Sequence, residues 1–153
     1  MKYFKHIIIL LTILTSCNSK NMESNLIIKD SPNDVNTTYD KLKTIISNNP
    51  NLKILLELDH SKNAASADLE LNPTKIIMFG NPKLGTPLMQ ASQTASIDLP
   101  QKIIVYSTDD AKTKVAYNDP LYLKERHNIV GKDEILNKIS GALNMITDKA
   151  IEK

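Results

Sequence analysis

Ile76-Ile77-Met78-Phe79-Gly80-Asn81-Pro82 is the stretch whose reading decides the fold. Four consecutive apolar residues read as a strand buried on both faces. The next three stop it: glycine accepts backbone angles closed to other residues, asparagine satisfies neighbouring amides, and proline suits the first turn of a helix. A buried strand therefore hands over to a helix, expected over about residues 84–91 despite Gly85 and Pro87, since proline is tolerated in a first turn. Exposed amides near Lys83, Gly85 and Thr86 could also hold an anion. The segment lacks the glycine count and the lysine-serine pair of a phosphate-binding loop, so its residues point first to a structural turn.

Working outward, Leu26, Ile27 and Ile28 form a short strand that ends at Asp30, Ser31 and Pro32. Asn33 or Asp34 can cap a helix on which Val35, Tyr39, Leu42, Ile45 and Ile46 share a face. Leu52, Ile54, Leu56 and Leu58 then alternate with Lys53, Glu57 and Asp59, which predicts a strand with one buried and one wet face. Residues 61–69 read as a short helix. Beyond the central stretch, residues 103–106 and 114–117 flank Asp109 and Asp110 as a hairpin with no glycine in its turn. Asp119 can cap a helix after Pro120.

The last stretch is the clearest helix: Ile135, Leu136, Ile139, Ala142, Leu143 and Ile146 keep one face apolar, opposite Lys138, Asn144 and Asp148. Gly141 costs about 1 kcal/mol relative to alanine there and is expected to mark close packing. The order strand, helix, four strands, helix predicts an α+β sandwich, a mostly antiparallel sheet with helices on one face.

The N-terminus carries an address. Lys2 and Lys5 precede an apolar run from Ile7 to Leu14 that is broken only by Thr12, then small residues and Cys17, the single cysteine. This is the order of a secretory signal, and the run is well short of the roughly 20 residues that span a bilayer as a helix. Leu14-Thr15-Ser16-Cys17 resembles the lipobox of bacterial lipoproteins. That resemblance implies a signal peptide over 1–16, lipidation of Cys17, a tether over 17–24 and one domain over 25–153. Acylation also accounts for a lone cysteine in an exported chain, which has no partner for an internal disulfide. Asn18 is not the aspartate associated with inner-membrane retention, so the resemblance favours an outer-membrane over an inner-membrane anchor in the envelope.

Charge and composition narrow the classes further. Loss of Lys2 and Lys5 brings 19 basic residues level with 17 acidic ones, and no basic surplus argues for nucleic acid. With 41% hydrophobic and 24% charged residues the remainder is ordinary globular sequence. Aromatics make up 5%, with no tryptophan, so aliphatic side chains must fill the core and few stacking platforms exist for sugars or bases.

A series of motifs now stands in order: Asp59-His60, Ala64-Ala65, Leu69, Leu71, Pro73-Thr74, Phe79-Gly80-Asn81-Pro82, Gly85-Thr86-Pro87-Leu88-Met89, Asp98-Leu99-Pro100, Tyr117-Asn118-Asp119-Pro120 and Arg126-His127. Over about residues 25–150 the chain resembles the bacterial family called domain of unknown function 302. The resemblance implies a TATA-box-binding-protein-like fold of strand, helix, four strands and helix, with pairing into a homodimer possible and no established reaction.

Asp59, His60, Asn81, Lys83, Tyr117 and His127 are the candidate ligand-binding residues. Two histidines beside carboxylates could bind a metal or share a proton. A tetrahedral zinc site wants three or four ligands, which the exported chain does not supply from histidine and free cysteine. Met78 and Met89 suit an adaptable core better than a soft-metal site. No nucleophile motif or cofactor loop is present, so no catalytic residue, metal or cofactor is assigned. The residues point to a non-catalytic envelope module that binds a small molecule or an envelope protein. The competing reading is an enzyme or a redox or metal accessory protein built around Asp59, His60 and His127, and convergence of the polar candidates on one pocket would favour it.

Overall fold

Two apolar helical stripes and five strands account for the architecture of residues 25–153, the part that the computed structural model describes. The expected signal peptide over 1–16, Cys17 and the expected tether to residue 24 lie outside the described residues. The elements are β1 (Leu26–Ser31), α1 (Val35–Ser47), β2 (Lys53–Asp59), α2 (His60–Ala65), β3 (Thr74–Gly80), α3 (Pro82–Ala91), a 3-10 helix (Gln93–Ile97), β4 (Gln101–Ser107), β5 (Thr113–Asn118), α4 (Tyr122–Arg126) and α5 (Asp133–Ile151). The strands form one antiparallel sheet in the order β1-β5-β4-β3-β2. The expected α+β order therefore holds, with α2, α3, the 3-10 helix and α4 as inserts.

Helix α1 starts where Asp34 accepts the amide of Thr37 at 2.9 Å, and it buries Val35, Thr38, Tyr39, Leu42 and Ile46. Helix α5 buries Leu136, Ile139, Leu143, Ile146, Thr147 and Ala150, and runs to Ile151, further than its apolar stripe predicts. Both stripes meet Ile77, Phe79, Ile103, Val105, Val115 and Tyr117 in one core. Lys29 joins the edge strand to α5: its ammonium donates to Asn144 Oδ1 at 2.8 Å, Thr147 Oγ1 at 2.8 Å and Asp148 Oδ1 at 2.6 Å. The lysine stem lies along the sheet while its charge is fully partnered, which is how such a residue is accommodated under a helix.

Several expectations are corrected by local geometry. Strand β2 shifts register between Ile54 and Leu56, leaving Leu55 as a bulge. The extra residue turns the strand over, because side chains alternate with period two. Ile54 faces the helices, but Leu56 and Leu58 face the other side, and Glu57 points under α1 where Tyr39 Oη donates to it at 3.0 Å. Strand β3 is not buried equally on both faces: Ile77 and Phe79 are in the core, whereas Ile76 and Met78 are half-buried. On that second face Ile28 and Leu56 remain 51% and 45% exposed.

Helix α3 begins at Pro82, so Pro87 lies inside it and not in its first turn. Helix α2 is shorter than expected and ends at Ala65. Asp119 accepts the amide of Leu121 at 3.0 Å, one residue ahead of α4, and so orders the turn without capping that helix. Gly141 does not mark close packing: a Cβ there would meet nothing within 4 Å. In the β4–β5 turn, Ala111 takes the positive φ of 58° that a glycine would take more cheaply.

Candidate ligand-binding site

At the end of the sheet where β3 stops, Asn81 organises the chain reversal. Its Oδ1 accepts the amide of Lys83 at 2.9 Å and its carbonyl accepts Leu84 N at 3.0 Å, so two of the free amides at the start of α3 are spent within the turn, and the same carbonyl takes Gly85 N at 2.9 Å as the first helical bond. Gly80 lies beside Pro100 without the positive φ that its place at the turn suggests. A Cβ built on it would lie 3.4 Å from the Cβ of Pro100, where β4 comes in.

Beside this turn lies a cavity of about 310 Å³. Its floor is Phe79 from the sheet, its sides are Leu84 and Met89 of α3 and Leu143 and Ile146 of α5, and Leu99 and Pro100 close the third side. Leu52 and Leu55 lie at its edge, and Leu55 is 51% exposed. The lining is overwhelmingly apolar; Lys53 is the single charged residue in it, with Asn81, Thr86, Ser96 and Gln101 as the polar side chains. Cavities of this size and character are the ordinary form of small-molecule sites.

A polar clamp holds the Leu99–Pro100 wall. His127 is buried at the end of α4, where its Nδ1 is 2.9 Å from Thr94 Oγ1 in the 3-10 helix and its Nε2 is 2.6 Å from Asp98 Oδ2. Arg126 Nε lies 3.1 Å from the same carboxylate oxygen. Burial pushes the Asp98 carboxyl up, but hydrogen bonds from His127 and Tyr122 and the charge of Arg126 more than offset this, and its pKa lies below the ordinary carboxylate value. The Tyr122 phenol is pushed up to about 12, first by burial and then by its bond to Asp98. Imidazole, carboxylate and hydroxyl form a chain, with every ring nitrogen partnered.

The six candidate residues are not brought together. Asn81 lines the cavity, and Lys83 next to it is exposed. Asp59 and His60 lie at the opposite end of β2, since Asp59 pairs with Lys75 whereas Lys53 pairs with Gly80. Asp59 caps α2 there, accepting Ser61 Oγ at 2.6 Å and Lys62 N at 3.1 Å, and these bonds hold its carboxyl below its usual range. Tyr117 is in the core, with its phenol raised by burial and the Lys29 ammonium 5.9 Å from its ring. His127 belongs to the clamp. Among the described residues no group of three or more His, Cys, Asp or Glu could hold a metal, and no helix is long and apolar enough to cross a membrane. Sequence reading missed Asp98, although Asp98-Leu99-Pro100 stood among the motifs. It also missed the apolar lining, whose members look like any core residue until the fold leaves a space between them.

The family model described as domain of unknown function DUF302 matches residues 27–146. Over 108 residues the chain is 32% identical to the protein named fluoride-specific ion channel FluC 1 of Brucella suis biovar 1 (strain 1330), covering 71% of this chain and 42% of that one. The same identity and the same share of this chain relate it to fluoride-specific ion channel FluC 2 of Brucella melitensis biotype 1, of which 40% is covered. The chain thus spans about two fifths of the length of these curated relatives. The crystal structure of an uncharacterized conserved protein DUF302 from Bacillus stearothermophilus superposes with a TM-score of 0.74 at 19% identity, covering 84% of this chain and 99% of that one.

Proposed function

Because the chain belongs to the DUF302 family, which supplies a fold but no reaction, we propose from its cavity that it is a non-catalytic binding module, held at the bacterial envelope by lipid on Cys17. The observation that carries this is the apolar cavity of about 310 Å³ beside the Phe79–Pro82 turn. A site for chemistry would need convergent polar groups with a nucleophile or metal. Here the polar candidates are spread over both ends of the sheet, and the apolar space offers shape and burial. The curated relatives bear the name of an ion channel, which agrees with a domain that works beside a membrane. Pairing of two copies is proposed on the second sheet face, where Leu26, Ile28 and Leu56 are exposed.

Two measurements test this reading. The neutral apolar dye N-phenyl-1-naphthylamine is expected to bind saturably, one per chain, and to lose binding in Ala142→Phe, which places a ring in the cavity. Absence of saturable binding by the dye would overturn the binding reading. Cys17→Ala is expected to abolish fatty-acid labelling and to move the protein from the membrane fraction to the soluble one; unchanged labelling would sink the anchor.

A further inference from the structure

We propose that the ligand of this cavity is a single acyl chain with an anionic head, either a free fatty acid or one chain of an anionic phospholipid. This rests on the apolar-ligand reading above and names its substrate class. The first support is position. Ile103 pairs with Tyr117, which sets Gln101 level with Asp119, and Asp119 N donates to Asn25 O at 2.7 Å. The strand ends that line the cavity, at Lys53, Gly80 and Gln101, are therefore at the end of the sheet where the chain enters from its tether. Three strand spacings, about 14 Å, separate β1 from β3. The seven residues between Cys17 and Asn25 span at most about 25 Å. An anchor on Cys17 holds this end of the domain near the lipid surface, with the cavity beside it.

The second support is the lining. Leucine, isoleucine and methionine side chains surround the space, and Phe79 is the single aromatic among them. Such walls suit a flexible aliphatic chain better than a planar ring system, which prefers aromatic platforms. The volume is near the lower end of the roughly 300–1,000 Å³ usual for ligand sites, which suits a single narrow ligand. The third support is charge complementarity. Lys53, at the same end of the sheet as the chain entry but on the opposite edge strand β2, four spacings or about 19 Å from β1, is the one charged residue among the described lining residues, and no acid accompanies it. Lys53 alternates with Ile54 and leaves the strand on the opposite face, so its flexible stem brings charge to the rim of the cavity, where an anionic head would meet it while the chain enters the apolar space.

The test uses residues 17–153 with Cys17→Ala, so that no lipid of the protein's own competes. Residues 17–153 keep every described element of the fold, from β1 to α5. cis-Parinaric acid is expected to bind one per chain, and Ala142→Phe to weaken it at least about tenfold. Gly85→Leu serves as the occluding variant if circular dichroism shows Ala142→Phe unfolded. Lys53→Gln is expected to weaken the acid about tenfold and leave the uncharged methyl ester within about twofold, the difference a charge-assisted hydrogen bond makes. Competition by phosphatidylglycerol vesicles assigns a phospholipid source; competition by oleate alone assigns the free acid, and either supports the class. If the acid and ester bind alike and Lys53→Gln changes neither, the anionic head is refuted. If N-phenyl-1-naphthylamine binds but parinaric acid and its ester do not, the acyl class is refuted while the apolar-ligand reading stands. If none binds, both fail.

Discussion

Replacing Asp98 by asparagine tests whether the clamp around His127 holds the cavity wall. The side chain keeps its shape, but a carboxylate 2.6 Å from His127 Nε2 and 3.1 Å from Arg126 Nε becomes a neutral amide. Hydrogen bonds to charged groups contribute about 1.5–3 kcal/mol, and the amide retains part of this, so a loss of about 1–2 kcal/mol is expected. For a domain of this size that lowers the melting temperature by about 3–8 °C. The sign with pH follows from the depressed Asp98 pKa. The unfolded carboxyl binds protons more readily than the folded one, so the stabilisation is present above its ordinary value of 3.8 and is lost as pH falls through the lower folded value. The gap between wild type and Asp98→Asn should be full at about pH 5 and shrink steadily below pH 4. Urea unfolding across that range measures it, and a cycle with Asp98→Ala and His127→Ala should give a coupling of about 1–2 kcal/mol. Single-mutant effects that add to within about 0.4 kcal/mol would refute a clamp. The same variants should weaken dye binding, because Leu99 and Pro100 then lose their support.

Tyr39, Tyr117 and Tyr122 all have phenols raised by burial, the first and third helped by Glu57 and Asp98. A near-ultraviolet titration should therefore show these tyrosines ionising above the usual range, and stability should fall as pH rises past about 10, where unfolded tyrosines give up protons that folded ones keep. Ile28→Lys, on the second sheet face, should dissociate a dimer in sedimentation equilibrium without lowering the melting temperature of the monomer; a wild type that sediments as a monomer at every concentration refutes the pairing. Ala142→Phe should cost no stability and can add about 1 kcal/mol by covering apolar surface, whereas a loss above about 1 kcal/mol would show that the space is not there to fill.

Element types were legible in this sequence because α1 and α5 carried a 3.6 period in their stripes, while strands either alternated, as in β2, or ran continuously apolar between turn residues, as in β1 and β3. What failed was facing. Leu52, Ile54, Leu56 and Leu58 alternate without a flaw, yet the bulge at Leu55 sends the last two to the side away from α1. A bulge adds one residue without a mark in composition, so the pattern alone predicts the wrong face for half the strand. Lys29 was equally opaque, since its burial depends on Asn144, Thr147 and Asp148 more than a hundred residues later. Of the candidate polar residues, Asp59 and Asn81 cap helices, Tyr117 lies in the core, His127 in the clamp, and Lys83 on the surface. Whether they meet is decided by which end of which strand they occupy, and that follows from the register.

The cavity shows why its members could not be told from core residues. Helices α1 and α5 lie on the same face of the sheet, and α3 closes the end near Phe79. Where three packed elements converge, large side chains are needed to fill the corner, and this chain has no tryptophan and few aromatics to put there. Leu84, Leu99, Met89 and Ala142 reach only part of the way. A void of about 310 Å³, if sealed and empty, would cost about 7 kcal/mol at roughly 24 cal/mol per Å³, a large part of the 5–15 kcal/mol by which domains are stable. The site escapes much of that cost by being open along Leu55, but the opening exposes apolar walls to water. An apolar ligand removes the exposure by filling the space, so the same aliphatic composition that leaves the core short of volume supplies the driving force for binding.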